Sequence, residues 1–173
     1  MPYRPIMGTA KPVVLVDVDG VLNPAERGPG YKRYRATPDR ITYRLWLNSA
    51  HGPLLRSLAA DTGAELHWAS FWRDSANDWI APRVGLPALP HVPIPPVPLD
   101  SDTSLGAWKA RHVAEWAGQR PFVWFEDEPD APEALLGEPG LADHLLIPVD
   151  PIVGLTEEHI EEARAWLLSL RTD

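Results

Sequence analysis

Val13-Val14-Leu15-Val16-Asp17-Val18-Asp19-Gly20-Val21-Leu22-Asn23-Pro24 decides how the rest of the chain is read. Four apolar residues, three of them β-branched, predict a strand buried on both faces, as in a parallel sheet. Two carboxylates spaced i, i+2 follow, then a glycine. In an open α/β sheet ligands sit outside the carboxyl ends of the strands. Two acids at such an end repel each other unless a proton or a cation intervenes, and a hard divalent ion with oxygen ligands would do so. Gly20 lets the backbone leave the strand sharply without a side chain in the way. An acidic strand-to-turn junction is the plain alternative, since Asp and Gly are ordinary turn residues.

The whole chain sets bounds on that reading. Its 173 residues fit one domain, expected over 1–173, with room for a substantial core. A hydrophobic content of 45% with eight Trp describes a globular protein. The net charge of −8 and pI of about 5.2 exclude a global attraction to nucleic acid or anionic membrane. No cysteine is present, so disulfides, thiolate metal sites and a cysteine nucleophile are excluded. Met1 to Lys11 contains no apolar leader-like run, and no stretch reaches membrane-spanning length. A soluble, cytoplasmic protein is expected.

Outward from the first strand, Arg27-Gly28-Pro29-Gly30 reads as a loop. Tyr31 to Arg35 and Ile41 to Leu47 then read as a hairpin, a flap spanning about 27–47. Ile41, Tyr43, Leu45 and Leu47 alternate toward one covered face. Six of the sixteen Lys and Arg residues fall between Arg27 and Arg44, against one acid, Asp39. This is either a solvated face or a basic flap over an anionic substrate. Asn48 or Ser49 is expected to cap a helix that carries Leu54, Leu55 and Leu58 inward and ends at Gly63. Ala64 to Ala69 reads as a second strand that ends at Ser70. A short helix after Asp74 stops at Pro82. Seven prolines in the seventeen residues 82–98 rule out a long helix or an inserted domain there, leaving one short strand near His91 to Val97 and a covering loop.

Asp102, Thr103 or Ser104 starts a helix to about Gly118, whose 100° spacing gathers Leu105, Trp108, His112, Val113 and Trp116 on one face. Lys109 falls inside that arc. It is one of only three lysines against thirteen arginines, and an ammonium on a core-facing side needs an anion. Pro121 to Phe125 is a further strand, followed by Glu126-Asp127-Glu128. A second strand end bearing acids is what a Mg²⁺ site shared between parallel strands requires; a solvated acidic loop is the plain alternative. His144 to Val149 reads as the last strand. Thr156 caps a final helix with Ile160, Ala163, Leu167 and Leu170 inward.

Four of these stretches, in order, resemble the motifs of the haloacid dehalogenase (HAD) superfamily: Asp17-Val18-Asp19-Gly20, Ser70, Lys109 and Glu126-Asp127. The tryptophan-flanked Trp68-Ala69-Ser70-Phe71-Trp72 is similar, more narrowly, to HAD domains associated with RNA-repair proteins. The resemblance implies an α/β fold, a Rossmann-like three-layer sandwich. Its central parallel sheet would have strand order 5-4-1-2-3, with a β-hairpin flap and no cap domain. It implies a Mg²⁺-dependent phosphohydrolase acting through an aspartyl-phosphate. Asp17 would be the nucleophile and Asp19 the general acid and base, while Ser70 and Lys109 would steady the phosphoryl group. The metal would be held by Asp17, Asp19 through its backbone carbonyl, and Asp127. Glu126 departs from the usual aspartate pair and would hold Lys109 or a metal-bound water. Lys32, Arg33 and Arg35, interleaved with Tyr31 and Tyr34, are candidates for contacting a phosphorylated substrate, an oligonucleotide end or another large molecule. A catalytically silent phosphate-binding module, a phosphotransferase and a small-metabolite phosphatase remain open alternatives.

Overall fold

β1 (Val13–Val16) runs through the middle of a four-stranded parallel sheet, and none of its side chains reaches solvent. The computed structural model describes residues 10–171; most of Met1 to Lys11 lies outside them. β4 (Glu65–Trp68) pairs with one edge of β1 and β5 (Phe122–Glu126) with the other, and β6 (His144–Pro148) pairs with β5. The order β4-β1-β5-β6 agrees with the expected arrangement for four of its five places.

The fifth place is reduced to a single bridge. Trp68 N–H donates to the Pro90 carbonyl and Val92 N–H to the Trp68 carbonyl, which sets His91 beside β4 in parallel register. The expected strand from His91 to Val97 does not form. Pro93, Pro95 and Pro96 have no N–H to continue the ladder. The segment instead buries Val92 and Ile94 against the sheet.

Side chains of β1 alternate between two cores, as a strand covered on both faces must. Val14 and Val16 join Trp68, Phe125 and Ile147 beneath α1 (His51–Thr62), α6 (Glu157–Ser169) and the flap. Val13 and Leu15 join Phe122 and Trp124 beneath α4 (Leu105–Ala117) and α5 (Ala131–Leu136). Each large apolar side chain so enclosed contributes on the order of 1.5–3 kcal/mol, which holds the strand ends in place. The last helix starts as expected, with Thr156 and His159 forming a reciprocal cap. α5 was not foreseen from the sequence. Two short helices, α2 (Ser75–Trp79) and α3 (Ala81–Val84), follow the second strand end, the latter with Pro82 in its first turn.

α4 presents a different face from the one its large residues suggest. Gly106, Lys109, Ala110, Val113 and Ala117 are buried, whereas Leu105 is 48% exposed. Small residues let the helix approach α5 closely: a Cβ on Gly106 would lie 2.2 Å from Asp130 Oδ1. Apolar bulk is thus a poor guide to this contact, and Lys109 sits at the centre of the buried stripe rather than at its edge.

The flap is an antiparallel pair, β2 (Tyr31–Ala36) and β3 (Tyr43–Asn48), separate from the main sheet. Between Asp19 and β4 the chain holds only this hairpin, with a 3-10 turn at Pro38–Arg40, and α1, with no cap domain. No helix among the described residues is long and apolar enough to cross a membrane.

Candidate active site

Asp17 follows β1 directly, and its backbone N–H donates to the Phe125 carbonyl of the neighbouring β5. The register that pairs Val16 with Phe125 therefore brings Asp17 beside Glu126, the last residue of β5. Lys109 reaches both from the centre of the buried face of α4. Its Nζ donates to Asp17 Oδ2 at 2.7 Å and lies 2.5 Å from Glu126 Oε2. The second oxygen of Asp17 accepts from the Val18 N–H at 2.8 Å. Glu126 Oε1 accepts from the N–H groups of Asp127 and Glu128, at 3.0 and 3.1 Å. Glu126 is therefore occupied on both oxygens and only 1% exposed, while Asp127 is half-buried with a freer carboxylate. Gly20, at φ +79°, passes so close to Asp127 that a Cβ there would lie 2.2 Å from its Oδ2. A side chain at this position would strain the turn and push the Asp127 carboxylate aside.

Asp17, Glu126 and Asp127 each offer a carboxylate oxygen within 4.8 Å of the others. Three such groups against one ammonium leave two negative charges without a partner, where water is largely excluded. Burial, and then the Glu126 charge, raise Asp17 to a pKa of about 8, against the pull of Lys109. Burial also raises Glu126, and raises Asp127 to about 6. Lys109 is pushed the opposite way from its own burial, which would lower it; the flanking carboxylates of Asp17 and Glu126 outweigh that and hold it charged. An all-oxygen donor set with two surplus negative charges fits a hard divalent cation such as Mg²⁺, which reverses the tendency of such acids to take up protons.

Asp19 stands outside that cluster. Its two oxygens accept from Asn23 Nδ2 and from the Trp72 indole N–H, both at 2.9 Å. Asn23 in turn accepts, through Oδ1, from the Trp46 N–H of β3 at 2.8 Å. The flap strand is thus tied to the Asp19 carboxylate through one amide side chain. Ser70 lies two residues beyond β4, is buried, and accepts at Oγ from the Trp72 N–H at 3.1 Å. Trp72 therefore touches Ser70, Asp19 and, ring to ring at 5.1 Å, Tyr43 of the flap. Neither Asn23 nor Trp72 carried a legible role in the sequence, because the bonds from Trp46 to Asn23 and from Trp72 to Asp19 join segments far apart in the chain.

Two clefts meet at Asp19. One, of about 320 Å³, also has Asp127, Arg44 and Trp46 in its walls. The other, of about 170 Å³, lies between the flap tip and the Phe71–Trp72 turn. Lys32, Arg33 and Arg35 line neither. They also do not share a face: Lys32 pairs with Leu47, while Arg33 and Arg35 pair with Trp46 and Arg44 on the other side of the ribbon. The aromatics between them are not free to stack on a ligand. Tyr31 is buried with its ring against His51, and Tyr34 packs on the core beneath the Arg83 guanidinium. Arg44, further along the same basic stretch, is the flap cation that lines a cleft with Asp19 and Asp127.

Residues 13–160 match the family described as HAD domain in Swiss Army Knife RNA repair proteins. The chain belongs to this family. The matched span includes all four motifs, from β1 to the first turns of α6. The HAD superfamily is generally one of hydrolases, phosphohydrolases and phosphotransferases among its members, that typically use Mg²⁺. No curated protein matches the chain.

Proposed function

We propose that this HAD domain is a Mg²⁺-dependent phosphohydrolase that works through an aspartyl-phosphate on Asp17. The observation that carries the reading is the Lys109 ammonium held between Asp17 and Glu126, with Asp127 alongside, at the ends of two adjacent parallel strands. Asp17 and Asp127, with the Asp19 backbone carbonyl, would hold the cation. When bound it would offset the negative charge of the acids and of the phosphoryl oxygens. Glu126, with both oxygens engaged, serves to orient Lys109.

An Asp17 carboxylate oxygen attacks phosphorus as the bond from phosphorus to the leaving oxygen breaks. The Asp19 carboxylic acid gives that oxygen its proton. The resulting Asp19 carboxylate then takes a proton from water, whose oxygen attacks phosphorus and releases inorganic phosphate and free Asp17. Asn23 and the Trp72 indole grip Asp19 from two sides and keep it pointed at the reacting bond. Lys109 and the Ser70 hydroxyl face the phosphoryl oxygens. An acceptor alcohol in place of water would make the same residues a phosphotransferase.

An open site without a cap suits a phosphate carried on something large, and the Arg44, Arg33 and Arg35 side of the flap suits further phosphates nearby. Phosphorylated nucleic-acid ends fit both features and the family's association with RNA repair. A screen of aryl phosphate, sugar phosphates and phosphorylated oligonucleotides, with and without Mg²⁺, tests the reading. Asp17→Asn should reduce every positive signal to background while leaving the fold intact. Residual activity within about tenfold of wild type, roughly 1.4 kcal/mol in barrier, would remove Asp17 from the mechanism.

A further inference from the structure

We propose that the cleft between the flap tip and the Phe71–Trp72 turn is a leaving-group pocket for a planar nitrogen heterocycle of the nucleobase class, joined through its sugar to the phosphate at Asp17. The inference rests on the phosphohydrolase reading and names what that site recognises. Alternation along β3 predicts that Ile41 and Tyr43 share the covered face of Leu45 and Leu47. Leu45 and Leu47 are buried, but Ile41 is 56% and Tyr43 40% exposed. Their apolar surface continues onto Phe71 and Trp72 across the cleft and ends at Asp19. The indole N–H bond to Asp19 fixes the Trp72 ring, and Tyr43 packs on it at a tilt of 56°. A wall already immobilised in this way loses little freedom when a flat ring settles on it.

The polar groups on the same walls specify the edge of the guest. Asp39 and Arg40 are consecutive non-glycine residues with positive φ, 49° and 65°, a backbone that non-glycine residues seldom adopt twice in a row. That turn sets Asp39 in the cleft opposite Ser75. Neither the Asp39 carboxylate nor the Ser75 hydroxyl has a side-chain hydrogen bond among the described residues. A carboxylate there accepts from ring N–H and amino groups and repels a second phosphate. Anions are served instead by Arg44 in the neighbouring cleft. The two sides of Asp19 thus select different parts of one ester, an aromatic edge on one and further phosphate on the other. The bond cleaved is the phosphorus–oxygen ester to the sugar, and the products are a nucleoside with a free hydroxyl and inorganic phosphate.

The test compares GMP, UMP, ribose 5-phosphate and a 5′-phosphorylated trinucleotide as substrates of the full chain, its Tyr43→Ala variant and its Asp39→Asn variant. Tyr43→Ala should lower kcat/KM on the base-bearing substrates about tenfold more than on ribose 5-phosphate, the loss of one stacking partner. Asp39→Asn should narrow the preference for GMP over UMP. The trinucleotide outperforming GMP assigns the pocket to a chain end, and the reverse assigns it to a free nucleotide. Ribose 5-phosphate turning over as well as GMP, or Tyr43→Ala slowing all substrates alike, overturns the proposal. If nothing is hydrolysed, the phosphohydrolase reading fails, and an NMR titration with guanosine still decides the pocket. Shifts at the Trp72 indole N–H that disappear in Tyr43→Ala support it; no shift at millimolar guanosine refutes it.

Discussion

Lys109→Met removes the one cation from a buried group of three acids while keeping the length and apolar stem of the side chain. Its ammonium is 2.7 Å from Asp17 and 2.5 Å from Glu126, with both carboxylates almost wholly out of solvent. Deleting one partner of such an ion pair typically costs about 3–5 kcal/mol, because the remaining charge stays buried without compensation. That is a large part of the roughly 5–15 kcal/mol that holds a domain folded. Urea denaturation without added metal should show the midpoint falling accordingly, and the melting temperature should drop by on the order of 10 °C. The double variant Lys109→Met, Glu126→Gln removes one of the stranded charges while retaining its shape. It should recover at least about 1 kcal/mol of the loss, though not the phosphatase activity. If Lys109→Met were as stable as wild type to within about 0.5 kcal/mol, the ordinary range for a surface substitution, the cluster would not be the buried, charge-compensated centre described above.

Asp19→Asn keeps the backbone carbonyl but loses the proton-transferring group, so Mg²⁺ affinity should persist while turnover falls by about 10²–10⁴-fold; wild-type turnover in this variant would show that Asp19 transfers no proton. Asp127→Ala should raise the Mg²⁺ requirement far more than Glu126→Ala, and metal titrations of the two variants in the opposite order would assign the ligand to Glu126. A last expectation concerns His51, away from the acids. Its Nε2 donates to the Leu155 carbonyl at 3.1 Å, and its buried Nδ1 has no hydrogen-bond partner. Burial pushes its pKa down from 6.5 to about 4, so between those values the unfolded chain binds a proton that the folded chain refuses. Stability should therefore decline as the pH falls from 6.5 toward 4, by about 3 kcal/mol in all from this residue. His51→Phe should flatten that part of the stability profile, and an unchanged slope would exclude His51 as its source.

The sheet and the order of the motifs were legible from local pattern because they depend on intervals within single segments. Four apolar residues ending in Asp-Val-Asp-Gly are enough to specify a doubly covered strand with acids at its carboxyl end. One of only three lysines in an arginine-rich chain, on a helix with one apolar side, already calls for a buried anion. The proline-rich stretch could be read as a covering segment for the same reason, since a missing N–H is a property of the residue itself. What surrounds those acids depended on distances between segments, which no local period encodes. Strand alternation alone puts Lys32 on the face opposite Arg33 and Arg35, but only the placement of the ribbon against the strand ends set Arg44 in the cleft with Asp19 and Asp127. Close packing through Gly106 and Ala110 turned α4 so that Lys109, not Trp108, lies at the centre of its contact. The difference between Glu126 and Asp127 came from two backbone N–H groups that satisfy one carboxylate and leave the other freer. The bond from Trp72 to Asp19 spans fifty-three residues, and the pairing of β1 with β4 that makes it possible spans fifty-two. Strand pattern and residue chemistry belong to the chain wherever it lies, whereas contact partners exist only once packing has chosen which surfaces face each other.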